Sequence, residues 1–231
     1  MIDKHQLKVL AFDADDTLWH NEVFFREAEE KFAALFENFL PQHTVTRELL
    51  ATEIKNLEWY GYGIKGFMLS MVETALRISE GTIKPEVILQ ILDIGKDLLQ
   101  KPVDVMPDVR EVLQTVQGRY KLVLATKGDL LDQERKLKKS GLENYFHHIE
   151  IMSDKKEADY AKLIRHLDIK PVELLMIGNS VKSDILPVLA LGGQALHIPY
   201  HVTWAHEHAE AVIDHPYFAK ADKIREVLQW L

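Results

Sequence analysis

Leu7-Lys8-Val9-Leu10-Ala11-Phe12-Asp13 runs directly into Ala14-Asp15-Asp16-Thr17, and the reading of this stretch decides the fold. Its first part is short, rich in apolar residues and closed by acids, the pattern of a buried parallel strand ending at a functional loop. Similar runs follow at Tyr120 to Thr126, His147 to Met152, Leu174 to Ile177 and Gln194 to Ile198, with a helix-like stretch between each and the next. Strands alternating with helices predict right-handed crossovers and a doubly wound, mostly parallel α/β sheet. Ligands on such sheets collect beyond the carboxyl ends of the strands.

Between Leu18 and about Lys101 no strand-like run occurs, and apolar residues recur at helical spacing. Phe25, Ala28, Phe32, Leu35 and Phe39 make one stripe, and Leu50, Ile54 and Leu57 a second. Phe67, Met71, Ala75 and Ile78 make a third, and Val87, Ile91 and Leu98 a fourth, with Pro85 suited to its first turn. Pro102 and Pro107 bracket a linker that re-enters the strand-bearing part. The expected division is a core of residues 1–18 and 102–231 with an inserted four-helix domain of residues 19–101. The alternative is that these helices belong to one larger core.

The chain of 231 residues is 47% apolar and 28% charged, an ordinary globular composition without a low-complexity tract. A formal charge of -8 argues against a broad nucleic-acid or anionic-membrane surface, which would need clustered Lys and Arg. Without cysteine there is no disulfide, zinc-thiolate or thiol chemistry. The run Val9 to Phe12 is too brief for a signal segment or a membrane span, so a cytoplasmic location is expected. Composition leaves the oligomeric state open.

Three carboxylates crowded at a strand end, Asp13, Asp15 and Asp16, repel one another unless something compensates them. A divalent cation is the simplest compensation, and few, hard protein oxygens suit Mg²⁺, which keeps waters and takes substrate phosphate. The bland alternative is a solvated acidic turn or a helix N-cap. The later strand ends are also polar. Thr126-Lys127-Gly128-Asp129 offers a hydroxyl and backbone N–H groups to phosphoryl oxygens. Asp154-Lys155-Lys156 offers a lysine. Gly178-Asn179-Ser180-Val181-Lys182-Ser183-Asp184 offers a sharp turn and two oxygen-bearing side chains that can reach a cation.

In that order, these motifs resemble the haloacid dehalogenase-like hydrolase superfamily, over Val9 to about Ile198. The resemblance implies a Rossmann-like core with a helical cap inserted after the first strand, and a Mg²⁺-dependent phosphatase or phosphotransferase acting on a small phosphorylated metabolite. It implies that Asp13 is the nucleophile and Asp15 the general acid and then base. Thr126, with Lys127 and Gly128 beside it, would bind the phosphoryl group, and Lys155, in preference to Lys156, would stabilise its charge. Asp13, the backbone carbonyl of Asp15, Asn179 and Asp184 would surround Mg²⁺. Two residues depart from the commonest pattern: Asn179 stands where many members have Asp, and Asp16, read as a local cap, where Gly is frequent. A dehalogenase needs neither the second acid nor a cation, so Asp15 favours phosphoryl chemistry.

Leu57 to Lys65 interleaves aromatic residues with Gly61 and Gly63, which suits either a loop over a pocket or a helix-helix turn with packed aromatics. His197, at the end of the last run, and His201 and Trp204 after it are read as structural or as substrate contacts. Two other functions compete with the phosphatase: a phosphosugar mutase of the same superfamily, and a catalytically silent phosphoanion-binding protein.

Overall fold

Val9–Phe12 forms β1, and all four of its side chains are buried. A strand covered on both faces belongs in the middle of a parallel sheet. The computed structural model describes residues 2–209 and 212–231, and Met1, Glu210 and Ala211 lie outside the described residues. Among the described residues there are six strands: β1, β2 (Lys121–Lys127), β3 (His148–Met152), β4 (Leu174–Gly178), β5 (Gln194–His197) and β6 (Phe218–Lys220). They pair in parallel in the order β3-β2-β1-β4-β5-β6. β6, only three residues long, has no counterpart among the apolar runs of the sequence.

Alternation along the strands explains the two covering layers. Leu10 and Phe12, with Leu122, Leu124, Leu175 and Ile177, pack against Val109, Val112, Leu113 and Val116 of α5 (Val109–Val116). Val9 and Ala11, with Val123, Ala125 and Met176, pack against Tyr160, Leu163 and Ile164 of α7 (Glu157–His166) and Val188 of α8 (Leu186–Ala190). Each large apolar side chain so buried contributes about 1.5–3 kcal/mol. The strand order reverses between β1 and β4, and the crevice beyond their carboxyl ends is where such sheets bind ligands.

The chain divides into two compact units, 1–20, 103–127 and 133–231 in the first, 21–102 and 128–132 in the second. The second holds α1 (Glu22–Ala34), α2 (Gln42–Tyr60), α3 (Ile64–Ile78) and α4 (Pro85–Gln100), and the segment Gly128–Asp132 leads into α6 (Leu130–Ser140). Phe32, Phe36, Val45, Leu49, Phe67, Met71, Ile91 and Leu98 form its apolar core, and Pro85 occupies the first turn of α4.

The second stripe needs correction. α2 buries Val45, Leu49, Thr52, Glu53 and Asn56, whereas Ile54 is 42% exposed. The inward face is partly polar because hydrogen bonds serve it: Thr52 Oγ1 donates to Glu48 O within the helix, and Asn56 Nδ2 to Ser70 Oγ of α3 at 3.2 Å. α1 also stops before Phe39, which is half exposed, and Phe36 fills the core instead. No described helix is long and apolar enough to cross a membrane.

Candidate active site

Asp13 leaves the carboxyl end of β1 with its N–H donating to Ile177 O of β4 at 2.9 Å. The chain then turns tightly, Leu18 N–H donating to Ala14 O at 2.8 Å and Asp16 N–H to Trp19 O at 2.8 Å. Asp16 has φ of 63°, a left-handed conformation that Gly, Asn and Asp adopt most readily. It is therefore a turn residue and not the expected cap, since α1 begins only at Glu22, after Asn21.

Lys155, on the loop after β3, is buried, and its Nζ donates to Asp13 Oδ1 at 2.5 Å and to Asp184 Oδ1 at 2.7 Å. Lys156 is instead exposed and pairs with Asp154 at 2.8 Å. Two buried carboxylates thus share one ammonium. Burial pushes the Asp13 carboxyl up to about 7, with Lys155 opposing and Asp184 reinforcing the shift. Burial alone would lower Lys155, but Asp13 and Asp184 outweigh it and hold the ammonium above its ordinary range.

β4 ends at Gly178, and a side chain there would meet Asp184 Oδ2 at 2.3 Å, so only glycine lets the π-helical turn Val181–Ile185 close on the strand. Asp184 Oδ2 accepts from the N–H of Ser180 at 2.9 Å. Thr17 Oγ1 lies 3.0 Å from Asp13 Oδ2 and 3.4 Å from Asn179 Oδ1, which draws these two oxygens to one side of the cluster.

Asp15 stands apart. Its carboxylate accepts from Trp19 Nε1 at 2.6 Å, Gln133 Nε2 at 2.9 Å, and Lys136 Nζ at 2.7 and 2.6 Å. Gln133 Oε1 in turn accepts from Thr126 Oγ1 at 3.3 Å, so the buried hydroxyl at the end of β2 is tied to Asp15 through one amide. Gln133 and Lys136 carry no motif. Their one sequence signal is a spacing of three on α6, which puts them on one helix face.

Lys127, expected at the substrate, is engaged by neighbouring side chains: its Nζ donates to Glu207 Oε1 at 2.5 Å and Ser183 Oγ at 2.9 Å. Gly128 has φ of 139° and falls in the segment that groups with the helices. Glu207 also accepts from Ser180 Oγ at 2.5 Å and Ser183 Oγ at 2.7 Å. It straps the loop after β5 across the end of β2 and the π-helical turn. Burial works against this charge, but Lys127 and the two hydroxyls hold the Glu207 carboxyl down at about 2. Against an ordinary 4.5, that depression corresponds to about 3 kcal/mol of stability, present above pH 4.5 and lost as pH falls toward 2. Glu207→Gln should therefore lower the unfolding free energy at neutral pH by about 2–3 kcal/mol, with the gap narrowing on acidification. Urea unfolding of both proteins from pH 7 down to pH 3 checks this, and a gap that does not change with pH would refute it.

His197 is structural in its contacts, Nε2 lying 2.9 Å from Asn179 O, and burial pulls it below its ordinary value. The His201 ring packs at a tilt against Tyr200 and that of Trp204 against His206, with ring centres 4.3 and 4.9 Å apart. Leu57 to Lys65 proves to be a helix-helix turn, α2 ending at Tyr60 and α3 starting at Ile64, with Gly61 at φ of 66° between them. Trp59 is 74% exposed and does not pack in the helical core.

Residues 7–192 match the family described as haloacid dehalogenase-like hydrolase. Among solved structures, a haloacid dehalogenase-like family hydrolase from Xanthomonas campestris is 38% identical, with a TM-score of 0.86 over 97% of this chain and 92% of that one. A HAD-hydrolase from Bacillus subtilis bound to magnesium is 16% identical, with a TM-score of 0.66 over 96% and 97% of the two chains. A 2-haloacid dehalogenase from Pseudomonas syringae is 15% identical, with a TM-score of 0.64 over 97% of each chain. These last two show the fold alone. No curated protein matches the chain. With its motifs on the strand ends of a parallel sheet and the match spanning most of its length, the chain belongs to the haloacid dehalogenase-like hydrolase family and is a hydrolase.

Proposed function

We propose that this hydrolase is a Mg²⁺-dependent phosphomonoesterase that cleaves a small phosphorylated metabolite through an aspartyl-phosphate on Asp13. The observation that carries the reading is an imbalance: Asp13 and Asp184 converge on the single ammonium of Lys155, while Asp15 is held to one side by donors of its own. The cluster is one positive charge short, and its third acid is kept separate from the pair.

The donor set fits Mg²⁺, since Asp13, Asp184, the Asn179 amide oxygen and the Asp15 backbone carbonyl are hard oxygens, few in number. Bound there, the ion would supply charge to neutralise the transferring phosphoryl group. Asp13 attacks phosphorus and the bond to the ester oxygen breaks, while Asp15 gives that oxygen a proton. To carry a proton Asp15 must give up its contact with Lys136 during turnover. In the second half Asp15 takes a proton from water, which attacks the acyl-phosphate and frees phosphate. Lys155 keeps Asp13 in place throughout. In this reading the inserted helices are the cap that selects the ester. A second acid kept apart from the nucleophile is of no use to a departing halide, which favours phosphoryl transfer over dehalogenation.

With Mg²⁺ present, Asp15→Asn should slow release of phosphate from an alkyl ester by about 10²- to 10⁴-fold and from an activated aryl ester far less. Equal losses on both esters would remove Asp15 from the acid role. Metal-independent halide release from a 2-haloacid, with no phosphate release from any ester, would overturn the phosphatase reading.

A further inference from the structure

We propose that His148, Glu150 and His166 form a second metal site, suited to a borderline divalent ion such as Zn²⁺, that clasps edge strand β3 to the last turn of α7. Each offers one ligand atom, and the three atoms lie within 4.8 Å of one another. His148 Nε2 lies 2.7 Å from Glu150 Oε2, and the rings of His148 and His166 meet edge to face with centres 4.8 Å apart. All three reach solvent, His166 most.

Strand geometry explains the grouping. His148 and Glu150 are two apart, so both point to the same face of β3. Their partners on β2 are Val123 and Ala125, which belong to the layer covered by Tyr160, Leu163 and Ile164 of α7. α7 runs back along this face and brings His166, its last residue, over the pair. The carboxyl end of a helix favours a cation, which adds to the charge of Glu150.

The chemistry differs from that of the active site. Two imidazoles and one carboxylate match a transition ion with a fourth position left for water, whereas Mg²⁺ prefers an all-oxygen set. Separations up to 4.8 Å exceed those around a tetrahedral ion, and rotation of the exposed His166 side chain is the movement that would close them. The site sits on the two elements that flank the loop carrying Lys155, so a bound ion would hold both ends of that unit together.

Calorimetric titration of Zn²⁺ into the full chain, with Mg²⁺ in excess throughout, tests the proposal. One Zn²⁺ should bind the parent and Asp184→Asn alike, and His148→Ala and His166→Ala should each weaken that event at least tenfold. Zn²⁺ should also raise the melting temperature of the parent and not of His166→Ala, whose melting without Zn²⁺ should equal the parent's because its side chain is exposed. Unchanged Zn²⁺ affinity in both histidine variants, or binding that Mg²⁺ or Asp184→Asn abolishes, would overturn it.

Discussion

Asp13→Asn is expected to lose at least about 10⁴-fold in phosphate release while unfolding no more easily than the parent. The loss follows from chemistry, because an amide cannot form the acyl-phosphate. The retained stability follows from the site. Asp13 is buried beside Asp184, and burial already pushes its carboxyl up to about 7, so folding gains little from its charge. The substituted amide keeps the hydrogen bonds: its oxygen can accept from Lys155, and its NH₂ can donate to Thr17 Oγ1, which then turns its own hydrogen to Asn179 Oδ1. Lys155 and Asp184 remain as a balanced pair. Urea unfolding beside a phosphate-release assay reads both quantities, and a variant that turned over at a tenth of the parental rate would exclude Asp13 as nucleophile.

Lys155→Met carries the largest expected effect on stability. It leaves Asp13 and Asp184 buried and facing each other with no counter-ion, a situation that costs about 3–5 kcal/mol. Met fills much of the same volume, so little of that cost is lost packing. Mg²⁺ should restore more stability to this variant than it adds to the parent, because it supplies the charge that Lys155 no longer does. Unfolding curves with and without Mg²⁺ decide it. A variant as stable as the parent in chelator, or one indifferent to Mg²⁺, would show that the two carboxylates do not form a cation site.

Much of the fold was legible because burial and periodicity agree. The run Leu7 to Phe12 read as a buried strand, and Val9 to Phe12 are indeed buried, Leu10 and Phe12 in one layer and Val9 and Ala11 in the other. The residues brought together at the centre, Asp13, Lys155, Asn179 and Asp184, were legible because each lies on a loop or turn that follows a strand whose direction the pattern predicts. β6 was not, since three residues give no periodicity to read. The inward face of α2 was misread because it buries polar residues, Thr52 bonded within its own helix and Asn56 to Ser70 of α3, which apolar spacing cannot register. Gln133, Lys136 and Glu207 escaped for a different reason. They look like ordinary surface residues of a helix and a loop, and only the tertiary fold sets them beside Asp15 and Lys127. The ion pair of Lys127 was hidden for the same reason, its partner Glu207 lying on a loop far along the chain.

The position of β1 bears on how the chain reaches its native state. Val9 pairs with Lys121 on one side and with Leu174 on the other, so the central strand emerges from synthesis long before either neighbour exists. The helices that follow contact one another in near-sequential order, α1 with α2, α2 with α3 and α3 with α4, and such local contacts form fast. They give the nascent chain an early folded body while the nucleophile-bearing strand, four apolar residues with open edges on both sides, waits for its partners. The segment that carries the chemistry is therefore secured only after the helices, and in the interval its open edges are exposed to pairing with another copy.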